Sequence, residues 1–93
     1  MSYFAVHYTY VDDAAELSRH RPAHRDFLRG LLGAGLLAAG AYPEAATPAA
    51  LLIVEAESEQ AVAEMLDDDP FLLQGVIAER VIQLWNPPIG VFA

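Results

Sequence analysis

Two stretches with the apolar period of a helix lie between stretches too aromatic and β-branched to be helical, and that succession limits the possible folds more than any single residue does. Residues 3 to 11, "YFAVHYTYV", predict a strand that Asp12 and Asp13 end. After a polar connection, "RPAHRDFLRGLLGAG" predicts a helix with Pro22 in its first turn, where a missing N–H costs nothing. Phe27, Leu28, Leu31 and Leu32 mark its apolar face, and Gly33 and Gly35 suit a left-handed stop. "LLAAGAY" and "AALLIVEAE" then read as a hairpin around a loop holding Pro43 and Pro48. Ser58 is placed to cap a second helix, "EQAVAEMLDDD", whose apolar face is Val62, Met65 and Leu66. Pro70 ends it by pushing Asp69 out of helical geometry. "VIAERVIQLW" predicts the last strand, and residues 86 to 93, "NPPIGVFA", a tail that paired prolines keep from extending the ladder.

The order β-α-β-β-α-β predicts an α+β chain, a ferredoxin-like sandwich in which one antiparallel sheet carries both helices on one face. No linker or low-complexity stretch divides residues 1 to 93, so a single domain is expected. The other face of the sheet must meet water or a partner. "ALLIV" does not alternate, and the first strand has large side chains at both parities, a pattern of strands covered on both sides. At 93 residues a chain buries only about 60–65% of its unfolded surface by folding alone. Yet 55% of its residues are hydrophobic, which points to a second copy of the chain as cover.

Charge and composition remove whole classes of function. Thirteen acidic residues against five basic ones give a net charge of -8, which repels a phosphate backbone, so nucleic acid is an unsuitable partner. With no cysteine there is no disulfide framework, zinc–thiolate site or cysteine nucleophile, and a reducing compartment is compatible. The opening "MSYFAVHYTY" lacks a basic n-region, and the longest apolar run, "LLGAGLLAAGAY", is too short and glycine-broken to span a bilayer. The expectation is a soluble, cytoplasmic protein with no membrane partner.

One acidic run needs a reason. In "EMLDDDPF" three aspartates gather at the end of the second predicted helix, where the dipole disfavours carboxylates. Helical phase puts Asp69 on the same face as Val62, Met65 and Leu66, while Asp67 and Asp68 turn away. The same count on the first helix puts His24 on the face of Phe27, Leu28 and Leu31. Two inward groups on helices sharing one face of a sheet can meet, and a carboxylate that accepts an imidazole N–H fixes the ring's tautomer and frees its other nitrogen for proton transfer. An Asp-Pro turn and a histidine bonded to a carbonyl form the structural alternative.

"RPAH" (Arg21, Pro22, Ala23, His24), Gly40 after a short apolar strand, and "DPF" (Asp69, Pro70, Phe71) followed by Gly75 stand in an order and spacing that resembles the YciI-like, or YCII-related, family over nearly the whole chain. The resemblance implies a ferredoxin-like dimeric α/β barrel, a homodimer, and an active site on His24 and Asp69. It also implies a relation to enzymes that isomerise or eliminate from small, often ring-shaped, oxygenated compounds. One departure is that family members often carry proline directly after the glycine, whereas this chain reads Gly40, Ala41, Tyr42, Pro43, so the wall near the hairpin differs.

Tyr8, Gly40 and Phe71 are the candidate substrate-binding residues. His20 and His24 have the i,i+4 spacing of helical metal ligands, but Pro22 as the first helical residue leaves His20 outside the helix, with no acidic third ligand near in sequence; no metal is expected. "GAGLLAAG" departs from a phosphate loop and follows a helix, so no nucleotide or other cofactor is expected. Arg19, Arg21, Arg25 and Arg29 concentrate positive charge on the first helix, where one near His24 can attract an anion. Two functions fit: a small-molecule enzyme using a His24–Asp69 pair for acid–base isomerisation, elimination or hydrolysis, or a non-catalytic dimeric ligand-binding or accessory protein in which the pair is only structural.

Overall fold

A computed structural model describes residues 1–93. Its elements are β1 (Ser2–Tyr10), α1 (Ala14–Leu31), β2 (Leu36–Ala41), β3 (Ala49–Ala56), α2 (Glu59–Leu66), α3 (Pro70–Leu73) and β4 (Ile77–Trp85). The four strands form one antiparallel sheet in the order β2-β3-β1-β4. This is the ferredoxin-like α+β arrangement, with one short helix, α3, added to the predicted order.

The side-chain alternation of β1 decides which face is the core. Phe4, Val6, Tyr8 and Tyr10 point one way and are buried with Leu52 and Val54 of β3, Val62 and Leu66 of α2, and Leu17 and Leu28 of α1. The intervening Tyr3, Ala5, His7 and Thr9 occupy the open face beside Leu51, Ile53 and Val81. Val81 and Trp85 are left 41% and 38% exposed there.

Helix α1 begins eight residues before Pro22. Asp13 caps it by accepting the Glu16 N–H at 3.2 Å, so the segment expected to be a connection is helical and Pro22 lies inside the helix. Proline there leaves the Ser18 carbonyl without its helical donor. Both residues are exposed, where water can replace the missing bond. His20 is therefore helical too, with Nε2 3.1 Å from Glu16, which corrects the expectation that it stands outside the helix without an acidic neighbour.

Helix α2 starts at the expected cap, with the Ser58 hydroxyl accepting the Ala61 N–H at 3.1 Å, but ends at Leu66. The aspartates are thus not helical residues of α2. Asp69 has extended backbone (φ -58°, ψ 125°), as a residue before proline prefers, and serves as the N-cap of α3 with Pro70 in the first turn. Helix α1 packs on α3 and β2, whereas α2 packs on β3 and β4. Beyond Trp85, Phe92 of the tail comes back onto Tyr3 and Trp85 at ring-centroid distances of 5.7 and 5.9 Å. Ile89 and Val91 stay exposed, since the chain turns past Pro87 and Pro88 with only one large side chain directed at the sheet.

Candidate active site

Asp69 and His24 meet at the junction of α1 and α3. The α3 cap fixes the carboxylate: Asp69 Oδ1 accepts the Phe71 N–H at 2.9 Å, and the Asp69 carbonyl accepts the N–H groups of Leu72 and Leu73. His24 reaches the same carboxylate from α1, with Nδ1 2.8 Å from Oδ1 and 2.9 Å from Oδ2. The Phe71 ring lies flat on the imidazole, centroid to centroid 3.9 Å with 7° between planes, and meets Tyr10 edge-on. Asp69 is wholly buried and His24 is 7% exposed. A charge so far from water is costly unless paired, and this one has two donors.

The arrangement selects one tautomer. A carboxylate only accepts, so the proton shared with it sits on Nδ1, leaving Nε2 as an acceptor in the neutral ring. Nε2 has no hydrogen-bond partner in the chain and is not sealed from solvent. His24 lines a cavity of about 360 Å³ between α1 and the β2–β3 edge of the sheet, with Leu28, Leu36 and Leu52 as its apolar inner wall and the small residues Ala39, Gly40 and Ala41 along β2.

Of the predicted substrate-binding residues, Gly40 and Phe71 line this cavity. Tyr8 does not. It lies one pleat further in on β1, its hydroxyl buried without a hydrogen-bond partner, and Tyr10 takes the place expected for it. Burial pushes the Tyr10 hydroxyl up to about 12, helped by the Asp69 charge and opposed by Arg21. The Tyr8 hydroxyl is raised further, again chiefly by burial and then by Asp69. Arg80, its cross-strand neighbour, pulls the other way without well-formed hydrogen-bond geometry.

Of the four arginines expected on this helix, Arg21, Arg25 and Arg29 line the cavity with His24, and Arg19 does not. Their four-residue spacing was the available signal. His20, four residues before His24, is engaged with Glu16, and nowhere do three His, Asp or Glu side chains gather as a metal would need. No helix is long and apolar enough to cross a membrane.

Comparison with known proteins bears on this geometry. Residues 1–86 match the family model described as the YCII-related domain. No curated protein matches the sequence. Among solved structures, the chain is similar to the 5-chloro-2-hydroxyhydroquinone dehydrochlorinase TftG of Burkholderia phenoliruptrix, in complex with 2,5-dihydroxybenzoquinone. The identity is 23% and the TM-score 0.78, over 90% of this chain and 93% of that one, a likeness of fold.

Proposed function

This chain is a member of the YCII-related family, and on that footing we propose that it is a small-molecule enzyme in which His24 moves a proton and Asp69 holds the imidazole for that task. The observation that carries the reading is the two-sided state of one ring. Nδ1 is bound by a buried carboxylate, while Nε2 is unpartnered and the residue borders a cavity with apolar walls. A histidine serving structure alone gains nothing from an open nitrogen.

In the proposed step the Nε2 lone pair takes a proton from a C–H beside a carbonyl, and the C–H electron pair moves towards the carbonyl oxygen to give an enolate. The imidazolium formed is stabilised by Asp69, whose position costs no reorganisation. Returning the proton to another carbon isomerises the substrate, and expelling a leaving group from the neighbouring carbon eliminates it. Neither course needs an external oxidant or reductant. The fold relative acts, by its name, on a chlorinated hydroxyhydroquinone. Small oxygenated rings are therefore the first substrates to test here, in a cavity lined by Phe71 and the small residues Ala39, Gly40 and Ala41 of β2.

We also assign the open sheet face to a second copy of the chain, giving the dimeric barrel, because Leu51, Val81 and Trp85 would otherwise remain partly in water. The absence of cysteine suits a reducing, cytoplasmic setting.

The test is a panel of hydroxylated and halogenated quinols and enols, each with and without a carboxylate, followed by deuterium uptake from solvent and by halide release. His24→Ala and Asp69→Asn should each lower turnover by about 100-fold or more. Asp67→Asn and Asp68→Asn should leave it within a factor of about two, since neither residue lines the cavity. Turnover that survives His24→Ala would remove the proposed chemistry.

A further inference from the structure

The five basic residues are all arginines, set against thirteen acidic residues. Arg19 pairs with Glu16, Arg29 with Asp26 and Arg80 with Asp67, at 3.4, 3.2 and 3.1 Å. Arg21 and Arg25 pair with none and donate no side-chain hydrogen bond. Both line the cavity and flank His24 in sequence, and no aspartate or glutamate lines it with them. A chain of net charge -8 has thus kept its two unpaired positive charges at the mouth of the space beside His24.

Helical phase explains the layering. Arg21, Arg25 and Arg29 follow at four-residue intervals and form a ridge along α1. His24 and Leu28 are buried, whereas Arg25 and Arg29 are exposed and Arg21 is half-buried. The charges stand at the rim, and the imidazole and leucines lie deeper.

We infer that the ligand of this cavity is a small carboxylate with an apolar body, its charged end held at the rim by Arg21 and Arg25 and its carbon skeleton against Leu28, Leu36 and Leu52. This rests on the cavity being the substrate site. A planar guanidinium fork matches a carboxylate in two parallel bonds. The same fork also matches a phosphate, but the leucine inner wall calls for a ligand with an apolar body, which inorganic phosphate lacks. Holding the carboxylate at the rim also fixes where the rest of the molecule lies, so its carbon skeleton is directed inward past His24.

The experiment is calorimetric titration of the full chain with benzoate and 4-methylpentanoate, each beside its uncharged amide. Each acid should bind at least about tenfold more tightly than its amide, and added salt should erase part of the difference. Arg21→Gln and Arg25→Gln should each cost about tenfold in acid binding and leave amide binding unchanged. Arg19→Gln, at an arginine outside the cavity, should do nothing, and melting curves of the three variants should stay close to the parent's. His24→Ala should keep the preference for acids, which separates this inference from the proton-transfer reading: acids bound without any turnover on the panel would refute that reading alone. The inference is overturned if neither acid outbinds its amide, including the case in which nothing binds. It is likewise overturned if Arg19→Gln weakens binding as much as Arg25→Gln, or if inorganic phosphate binds as tightly as the acids.

Discussion

Replacing Asp69 by asparagine keeps the shape of the side chain and removes its charge, so the cost can be worked from the contacts. Asp69 serves two donors, the Phe71 N–H at 2.9 Å and the imidazole Nδ1 at 2.8 and 2.9 Å. If asparagine keeps its oxygen on the Phe71 N–H, its NH2 group faces the imidazole and can donate only to a bare Nδ1. The ring proton then moves to Nε2, and the cavity meets a donor where it had an acceptor. The hydrogen bond survives in neutral form, so the expected loss is about 1–2 kcal/mol, which for a chain of this size lowers the melting temperature by about 4–16 °C. Asp69→Ala leaves both donors buried and unpaired, at about 3–5 kcal/mol. That is a large part of the roughly 5–14 kcal/mol that holds a chain of this length together. Asp67→Asn loses a contact with Arg80 that is partly in water, worth about 1 kcal/mol or less. Thermal melting and turnover should be measured on the same samples, and both should rank Asp69→Ala below Asp69→Asn and Asp69→Asn well below Asp67→Asn. If Asp69→Asn matches Asp68→Asn in both, the carboxylate does not hold the ring and the reasoning fails.

Three further outcomes follow from other parts of the fold. Gly35 has φ 121°, and a Cβ there would lie 2.6 Å from Met65 Cε and 3.0 Å from the Glu55 carbonyl oxygen, so Gly35→Ala should cost about 1–3 kcal/mol by chemical denaturation; an unchanged midpoint would contradict this packing. Because folding raises the Tyr8 and Tyr10 hydroxyls above their unfolded value of 10.0, the unfolded chain releases their protons first, so stability should be flat below about pH 10 and fall as pH rises towards 12. Tyr8→Phe and Tyr10→Phe should each flatten that alkaline decline, followed by phenolate absorbance and circular dichroism, and an equally steep decline in both would contradict the assignment. Val81→Glu places a charge in the middle of the open sheet face, so light scattering should change from dimer to monomer mass; a parent chain that stays monomeric on concentration would remove the barrel assembly.

Much of this architecture was legible in the sequence because period and punctuation agreed. Ser58 begins α2 where its capping geometry said it would, and the four strands fall within a residue of their expected limits. Two errors have physical sources. Pro22 reads as a helix start because proline is usually confined there, yet the Asp13 cap and the seven- and four-residue steps from Leu17 to His24 to Leu28 extend one buried stripe through it. Asp69 was singled out by a phase count on a helix that it does not belong to. What buries it is the cap of α3, a four-residue element whose only sequence signals were Asp69 and Pro70 at its start and Gly75 after it. The meeting with His24 likewise comes from α1 packing on α3 and not from two long helices side by side. The arginines of α1 were visible as a concentration of charge, and their pairing follows helical spacing: Arg19 and Arg29 each have an acidic residue three positions earlier, Glu16 and Asp26, whereas Arg21 and Arg25 have none three or four positions away. What the residues alone left open is which of them the fold sets along the cavity.

The central claim is that His24 offers a bare Nε2 to the cavity because Asp69 holds the proton at Nδ1. The most direct measurement is the nitrogen NMR spectrum of the His24 ring above the pH at which it is neutral, with its two nitrogens assigned through their couplings to the ring protons, in the parent and in Asp69→Asn. The account predicts a protonated Nδ1 and a bare Nε2 in the parent, reversed in the variant. A parent ring protonated at Nε2, or one whose tautomer is the same in both proteins, would contradict it.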